Sequence, residues 1–195
     1  KKRVAIVTGG GRGIGLSIAK SLTKEGVGVV IADAGVSIDG SDPDPMVAQA
    51  AASEIGGSTV AFSESITSPS AAQALVDYAT ESFGRIDIIV NNAAILRDAF
   101  IFKGNPTDWD SVISTNLSAA YYLLSAATPL LRANSKNTSD YNYGRIVNIT
   151  STAGFYGNFG QAAYSSAKAG LFGLTRSVAL DMSRSGVTCN AVAPF

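Results

Sequence analysis

Tyr164 and Lys168 stand four residues apart in Tyr-Ser-Ser-Ala-Lys, and Ser151 lies thirteen residues before the tyrosine. On a helix that spacing puts the phenol and the ammonium on one face, an arrangement suited to moving a proton. A free tyrosine ionises near pH 10, too high for a base at neutrality. An ammonium about 4.5 Å away, at an effective dielectric near 20, favours the phenolate by about 4 kcal/mol, or roughly two to three pKa units. The expectation is a tyrosinate accessible near neutrality, with the Ser151 hydroxyl beside it to hold a substrate oxygen. A Tyr-x-x-x-Lys pair alone is common on helix surfaces. What gives this one weight is Ser151, just past the apolar run Ile146-Val147-Asn148-Ile149. The chain has no histidine, which excludes Ser-His-Asp and Cys-His nucleophile systems and leaves proton transfer to Tyr, Lys, Asp or Glu.

A second constellation lies near the start of the chain. An apolar run ends in Thr8-Gly9-Gly10-Gly11-Arg12-Gly13-Ile14-Gly15 and passes into an amphipathic stretch. Glycines between a strand and a helix let main chain approach a pyrophosphate at the helix N-terminus. A glycine-rich turn can also bind nothing; the acidic residue closing the next apolar run, Asp33, favours a dinucleotide. A carboxylate there accepts hydrogen bonds from an adenosine ribose and repels a 2′-phosphate, by roughly 4 kcal/mol per unit charge at about 4 Å, so NAD is expected over NADP. Arg12 is the nearby cation that could soften the preference.

The elements that must position these residues follow from the hydrophobic pattern. Short Val- and Ile-rich runs alternate with longer amphipathic stretches, as in a parallel sheet covered by helices on both faces. Six strands are predicted, over 3–8, 28–32, 59–62, 86–90, 145–149 and 188–192. The first helix carries Ile14, Ile18 and Leu22 on one face, another starts at Ser68-Pro69, a third is capped by Thr107, and a fourth runs from about Gln161 to Ser183. Residues 35–45 and 134–143 read as loops. The 195 residues suit one domain, here the larger part of one, since the chain begins almost in a strand and stops at Pro194-Phe195.

Composition narrows the function further. Fifteen basic residues balance fifteen acidic ones, so nucleic acid is not an expected partner. No apolar run reaches membrane-spanning length, and no signal-peptide core follows Lys1-Lys2-Arg3. The single Cys189 reads as a small buried hydrophobe, no metal site is expected, and a cytoplasmic location fits. Three Asn-x-Ser/Thr triplets, at Asn116, Asn137 and Asn148, are not expected to be glycosylated.

The spacing Thr-Gly-x-x-x-Gly-x-Gly, the triad Ser151, Tyr164 and Lys168, Asn91-Asn92-Ala93-Ala94 after the fourth strand and Asn116 in Ser-Thr-Asn-Leu together resemble the short-chain dehydrogenase/reductase family. The resemblance covers the whole chain. Phe155 to Gln161, Asn91 to Asp98 and the long loop after Asp33 look like the 3-hydroxyacyl-CoA dehydrogenase units of peroxisomal multifunctional enzymes of type 2 and their bacterial relatives. The resemblance implies a Rossmann-type doubly wound α/β fold with strand order 3-2-1-4-5-6, its substrate lid and last strand beyond Phe195. It implies NAD held by Gly9, Arg12, Gly13, Ile14, Gly15, Asp33, Glu64, Ser65, Asn91, Ala93, Tyr164, Lys168 and Pro194. Asn116, Ser151, Tyr164 and Lys168 would be catalytic, with Asn116 holding a relay water. Glu64 stands where that group usually has aspartate, Ala94 where glycine is usual, and Phe195 where Pro-Gly is common.

The implied reaction interconverts a secondary alcohol and a ketone, on a 3-hydroxyacyl-CoA, with a 3-oxoacyl thioester, steroid or other carbonyl compound as the alternative substrate. A non-catalytic nucleotide-binding sensor or scaffold is the rival of another class. Phe155 to Gln161 would wall the substrate, Arg97 and Lys103 could meet its phosphates, and a homodimer or homotetramer would form on the helices near Trp109 and Gln161.

Overall fold

Val- and Ile-rich segments with alternating side chains build the centre of the molecule, which a computed structural model describes over residues 2–136 and 144–195. Among the described residues there are six strands: β1 (Val4–Thr8), β2 (Gly28–Ala32), β3 (Thr59–Phe62), β4 (Ile88–Asn91), β5 (Arg145–Ile149) and β6 (Thr188–Val192). They form one sheet in the order β3-β2-β1-β4-β5-β6, and every pairing is parallel. The expected Rossmann-type order and the expected strands are present. β4 starts at Ile88, two residues later than expected, although the Asp87 main chain already bonds to both neighbouring strands, its N donating to Val4 O at 2.8 Å and its O accepting from Arg145 N at 2.9 Å, while Ile86 O accepts from Asn134 Nδ2 at 2.8 Å and the Asp87 carboxylate takes Val4 N at 2.9 Å and Arg85 Nε at 2.8 Å.

Alternation along each strand divides the core between two faces. Ile6, Val30, Phe62 and Ile146 pack on one face against α3 (Pro69–Phe83) and α5 (Ala119–Lys136), while Ala5, Val7, Val29 and Ile31 pack on the other against α1 (Gly13–Lys24) and α2 (Met46–Ile55). Ile18 and Leu22 join that second face as expected, but Ile14, at the first turn of α1, does not and is half exposed.

Ser68 caps α3 as expected, its Oγ accepting from Ala71 N at 3.2 Å with Pro69 next. Thr107 does not cap α4 (Pro106–Ile113). Asn105 does, its Oδ1 accepting from Asp108 N at 2.8 Å, because Pro106 already supplies the first helical dihedral. Asn134 belongs to α5 rather than to a loop, and 137–143, with the Asn137 triplet, lie outside the described residues. Asn116 and Asn148 are buried, which removes those triplets as glycan acceptors. The remaining helices are α6 (Ala153–Tyr156) and α7 (Ala162–Met182), the latter within one residue of its predicted ends. Among the described residues no helix is long and apolar enough to cross a membrane, and no group of three His, Cys, Asp or Glu could hold a metal ion.

Candidate active site

All the chemistry-bearing residues sit at the carboxyl edge of the parallel sheet, where the strands hand over to loops. Thr8 ends β1, and its hydroxyl accepts from Asn92 N at 3.0 Å and Ala93 N at 3.1 Å. Asn92 returns the contact, its Nδ2 donating to Thr8 O at 3.0 Å and Gly9 O at 2.9 Å. This lattice ties the glycine loop to the segment after β4 so closely that a Cβ on Gly9 would lie 2.8 Å from Ala93 Cα. Gly15 is excluded from bearing a side chain for the same kind of reason, since its Cβ would meet Gly9 O. Gly13 differs. Its φ of +52° suits glycine, and nothing stands within 4 Å of where a Cβ would be.

Asp33 follows β2 and is held by main chain on both oxygens: Oδ2 accepts from Gly11 N at 2.8 Å and Oδ1 from Gly35 N at 2.8 Å. Arg12 reaches over the loop after β2, donating to Gly35 O and Val36 O at 3.2 Å each. Together these residues border a cleft of about 670 Å³. Of the residues expected to hold the cofactor, Gly9, Arg12, Gly13, Asp33, Glu64, Ser65 and Ala93 line it, and Thr8 and Asn92 join them. Those two carry no assignment from the sequence, though each adjoins a motif residue. Ile14, Gly15, Asn91 and Pro194 do not line the cleft. Asn91 instead turns inward, its Nδ2 donating to Asn148 Oδ1 at 2.8 Å, and Pro194 O accepts from Thr152 N at 3.2 Å.

Ser151, Tyr164 and Lys168 lie at the neighbouring end of the edge, outside that cleft, where β5 leads into α6 and α7 packs alongside. Ser151 Oγ accepts from Ala153 N at 3.2 Å and faces the phenol of Tyr164 closely enough to favour its ionised form. Lys168 is buried beneath them, Nζ donating to Ile149 O at 2.8 Å and lying 5.5 Å from the centroid of the Tyr164 ring. Here one expectation is corrected. Burial pushes the Tyr164 phenol up rather than down, with the Asp98 carboxylate acting in the same sense, and burial draws Lys168 down to about 8. The ammonium points at a carbonyl of β5 instead of standing free beside the phenol, and a charge that is itself costly to bury cannot simply lend its field to a neighbour.

Asn116 sits in a π turn, Ser114–Ser118, between α4 and α5. Its side chain closes a pair of bonds with Ile95, accepting from Ile95 N at 2.8 Å and donating to Ile95 O at 2.9 Å. The helix thereby clamps the segment after β4 in place, and the widened turn frees carbonyls from the α-helical pattern, a feature common at functional sites.

A family model described as short chain dehydrogenase matches residues 3–195, nearly the whole chain. The chain belongs to the short-chain dehydrogenases. It is 40% identical to a 3-oxoacyl-[acyl-carrier-protein] reductase of Synechocystis over 98% of this chain and 73% of that protein, and 37% identical to the peroxisomal multifunctional enzyme type 2 of Drosophila melanogaster over 98% of this chain. The crystal structure of a short chain dehydrogenase from Mycobacterium avium superposes with a TM-score of 0.88 at 40% identity, covering 98% of this chain and 67% of that one. The chain spans 66% of the length of a Mycobacterium tuberculosis relative and 31% of the Drosophila enzyme.

Short-chain dehydrogenases use a nicotinamide cofactor, NAD or NADP. The residues present fit such a group: a glycine loop opening the 12-residue α1, a Gly13 with free space before it, and a carboxylate across the cleft.

Proposed function

We propose that this chain is the cofactor-binding and catalytic part of an NAD-dependent oxidoreductase interconverting a secondary alcohol and its ketone, with a 3-hydroxyacyl-CoA as substrate. The observation that carries the reading is the meeting of Ser151, Tyr164 and buried Lys168 at the sheet edge, next to a glycine-loop cleft. When bound, the cofactor takes or gives the hydride at the reacting carbon. Ser151 hydrogen-bonds the substrate oxygen, and Tyr164 takes the alcohol proton during oxidation and returns it during reduction. Lys168 would hold the nicotinamide ribose. Asn116 holds the π turn from which a water passes the proton towards solvent. On the adenosine side Gly9, Arg12 and Gly13 would take the pyrophosphate, with Gly15 keeping the loop tight, Glu64 and Ser65 would border the adenine, and Ala93 would offer main chain. Asp33 takes the ribose hydroxyls and thereby favours NAD over NADP.

Support for the thioester comes from likeness to the peroxisomal multifunctional enzymes and from the apolar segment beside α6. There Phe155, Tyr156 and Phe159 stand exposed and Phe155 stacks on Phe172 at 4.0 Å between centroids. Arg97 is not free to meet phosphates: Nη1 is 2.7 Å from Asp108 Oδ1 and Nε donates to Asp39 O. Lys103, over the ring of Phe102, stays the candidate. The similarity to the Synechocystis reductase favours a second reading, reduction of a 3-oxoacyl thioester on an acyl-carrier protein. Exposed Trp109 and Tyr121 offer contacts for a homodimer or homotetramer.

A panel of 3-hydroxyacyl-CoA, acyl-carrier-protein thioesters, hydroxysteroids and simple secondary alcohols, followed by NADH absorbance, tests the reading. The CoA thioester is expected to give the highest kcat/KM. Good turnover of steroids or alcohols with every thioester ignored would overturn the acyl assignment and keep the dehydrogenase.

A further inference from the structure

Asp98 is a charge that the reaction scheme leaves unused. It lies in the segment after β4, and its Oδ2 accepts a hydrogen bond from Gln161 Nε2 at 3.0 Å. Gln161 immediately precedes α7, three residues before Tyr164, and its Oε1 accepts from Asn158 Nδ2 at 3.1 Å. Main chain fastens the two segments as well: Ala99 N donates to Gly160 O at 2.8 Å, and Ala99 forms a parallel bridge with Gln161. The carboxylate is thus held at the start of α7, the helix that carries Tyr164.

Nothing nearby neutralises it. Arg97, the preceding residue, is turned to Asp108 and to Asp39 O. Lys103 lies over Phe102, and Lys168 is buried with its ammonium on Ile149 O. Among the described residues Asp98 forms no ion pair, and the facing segment from Phe155 to Gly160 carries no charge. Gln161, with one Nε2 proton given to Asp98, has its second proton available to a neutral acceptor.

We propose that Asp98 is a specificity-determining residue: with Gln161 it admits substrates in which the acyl group one methylene away from the reacting carbon is uncharged, an ester or thioester, and rejects the corresponding free carboxylates. The inference rests on the reading of Ser151 and Tyr164 given above. A substrate oxygen held between those two hydroxyls brings its neighbouring carbons to the rim, within the roughly 8 Å over which exposed charges still interact at physiological salt. Like charges meeting there repel, whereas an ester or thioester carbonyl meets only the amide of Gln161. The field of Asp98 already reaches the site, since it opposes ionisation of Tyr164.

The test compares methyl 3-oxobutanoate with 3-oxobutanoate as oxidants of NADH, using the intact protein. The unmodified protein should favour the ester by more than tenfold in kcat/KM. Asp98→Asn keeps an acceptor for Gln161 and removes the charge, so it should narrow the preference at least tenfold, through KM for the acid. Asp98→Ser should act in the same direction, and Asp98→Glu should retain the preference. Raising the salt concentration should narrow the ratio in the unmodified protein and leave it flat in Asp98→Asn, a response that a purely structural role would not produce. Equal use of acid and ester by the unmodified protein, or a ratio unmoved in both neutral variants, overturns the proposal. If instead neither substrate is reduced, or Tyr164→Phe reduces the ester at the normal rate, the dehydrogenase reading itself fails and the role of Asp98 with it.

Discussion

The two ends of one sheet edge are built on opposite terms. Around Asp33 the polar side chains are anchored to main chain: the carboxylate takes two N–H groups, Arg12 gives to two carbonyls, and Asn92 to two more. Around Tyr164 the polar groups are held by burial with few bonds. Lys168 is 2% exposed with a hydrogen bond to one carbonyl, and the Ser165 hydroxyl next to the tyrosine is buried without a partner. The first end is rigid because its hydrogen bonds are satisfied locally, which suits recognition of a fixed ligand shape. The second carries a buried charge at a cost in stability, as catalytic sites commonly do.

The sharpest way to break that comparison is to remove one oxygen from the second end. Tyr164→Phe keeps the ring in the small apolar cluster of Ile95, Val112 and Ala167 and deletes only the proton-transferring hydroxyl. kcat should fall about a thousandfold, in line with general acid-base contributions, while NADH affinity, read by fluorescence titration, stays within about twofold because the glycine-loop end is untouched. Loss of both, or of neither, would mean that the two ends are not separable in this way.

Much of this arrangement is legible in the sequence, and what is not has identifiable causes. The doubly buried strands announce themselves because every residue of β1 and β2 must be apolar or small, and the glycine loop is legible because three of its positions admit no side chain or free a space. The cap of α4 is misplaced by sequence alone because Asn105 and Thr107 are both good caps, and only the proline between them decides. The proton affinity of Tyr164 is misjudged because spacing reveals that Lys168 is near but not that its ammonium is buried and turned to Ile149 O. Asp98 and Gln161 are 63 positions apart, and nothing local in either segment announces that contact.

The next effect is thermodynamic. Lys168 is drawn from 10.5 to about 8 by burial, so between those values the unfolded chain binds more protons and stability rises with pH. Cys189 opposes this from pH 9 upward: burial raises its thiol to about 11, the folded chain keeps that proton longer, and stability falls as pH climbs through that range. The Lys168 effect therefore exceeds that of Cys189 between about pH 8 and 9, where the cofactor-free protein should gain roughly 0.5–1 kcal/mol in urea unfolding. Lys168→Met should abolish that rise and, by replacing a buried ammonium with an apolar chain, stabilise the protein at pH 7 by about 2 kcal/mol while removing activity. A variant less stable at pH 7 and still pH-dependent would show that Lys168 contributes to stability instead of detracting from it.

The smallest effect probes the well-bonded end. Taken as an isolated charge, Asp33 would disfavour a 2′-phosphate strongly, but both its oxygens already bind N–H groups and the Arg12 guanidinium lies on the carbonyls of Gly35 and Val36 close by. Hydrogen bonding, partial exposure and a neighbouring cation all spread the charge, which lowers its discrimination to about 1.4 kcal/mol, or tenfold in the ratio of NADH to NADPH affinity. Asp33→Asn is the informative substitution, because its amide oxygen still accepts one of the two N–H groups while the charge and the other bond are removed. The ratio should narrow about tenfold, mainly through tighter NADPH binding, with kcat for the preferred cofactor unchanged since the acid-base groups sit at the other end. Combining Arg12→Ala with Asp33→Asn should then weaken NADPH binding more than NADH binding if the guanidinium helps hold the phosphate. Equal affinities for the two cofactors in the unmodified protein would show that Asp33 serves the loop through Gly11 and Gly35 and does not read the ribose.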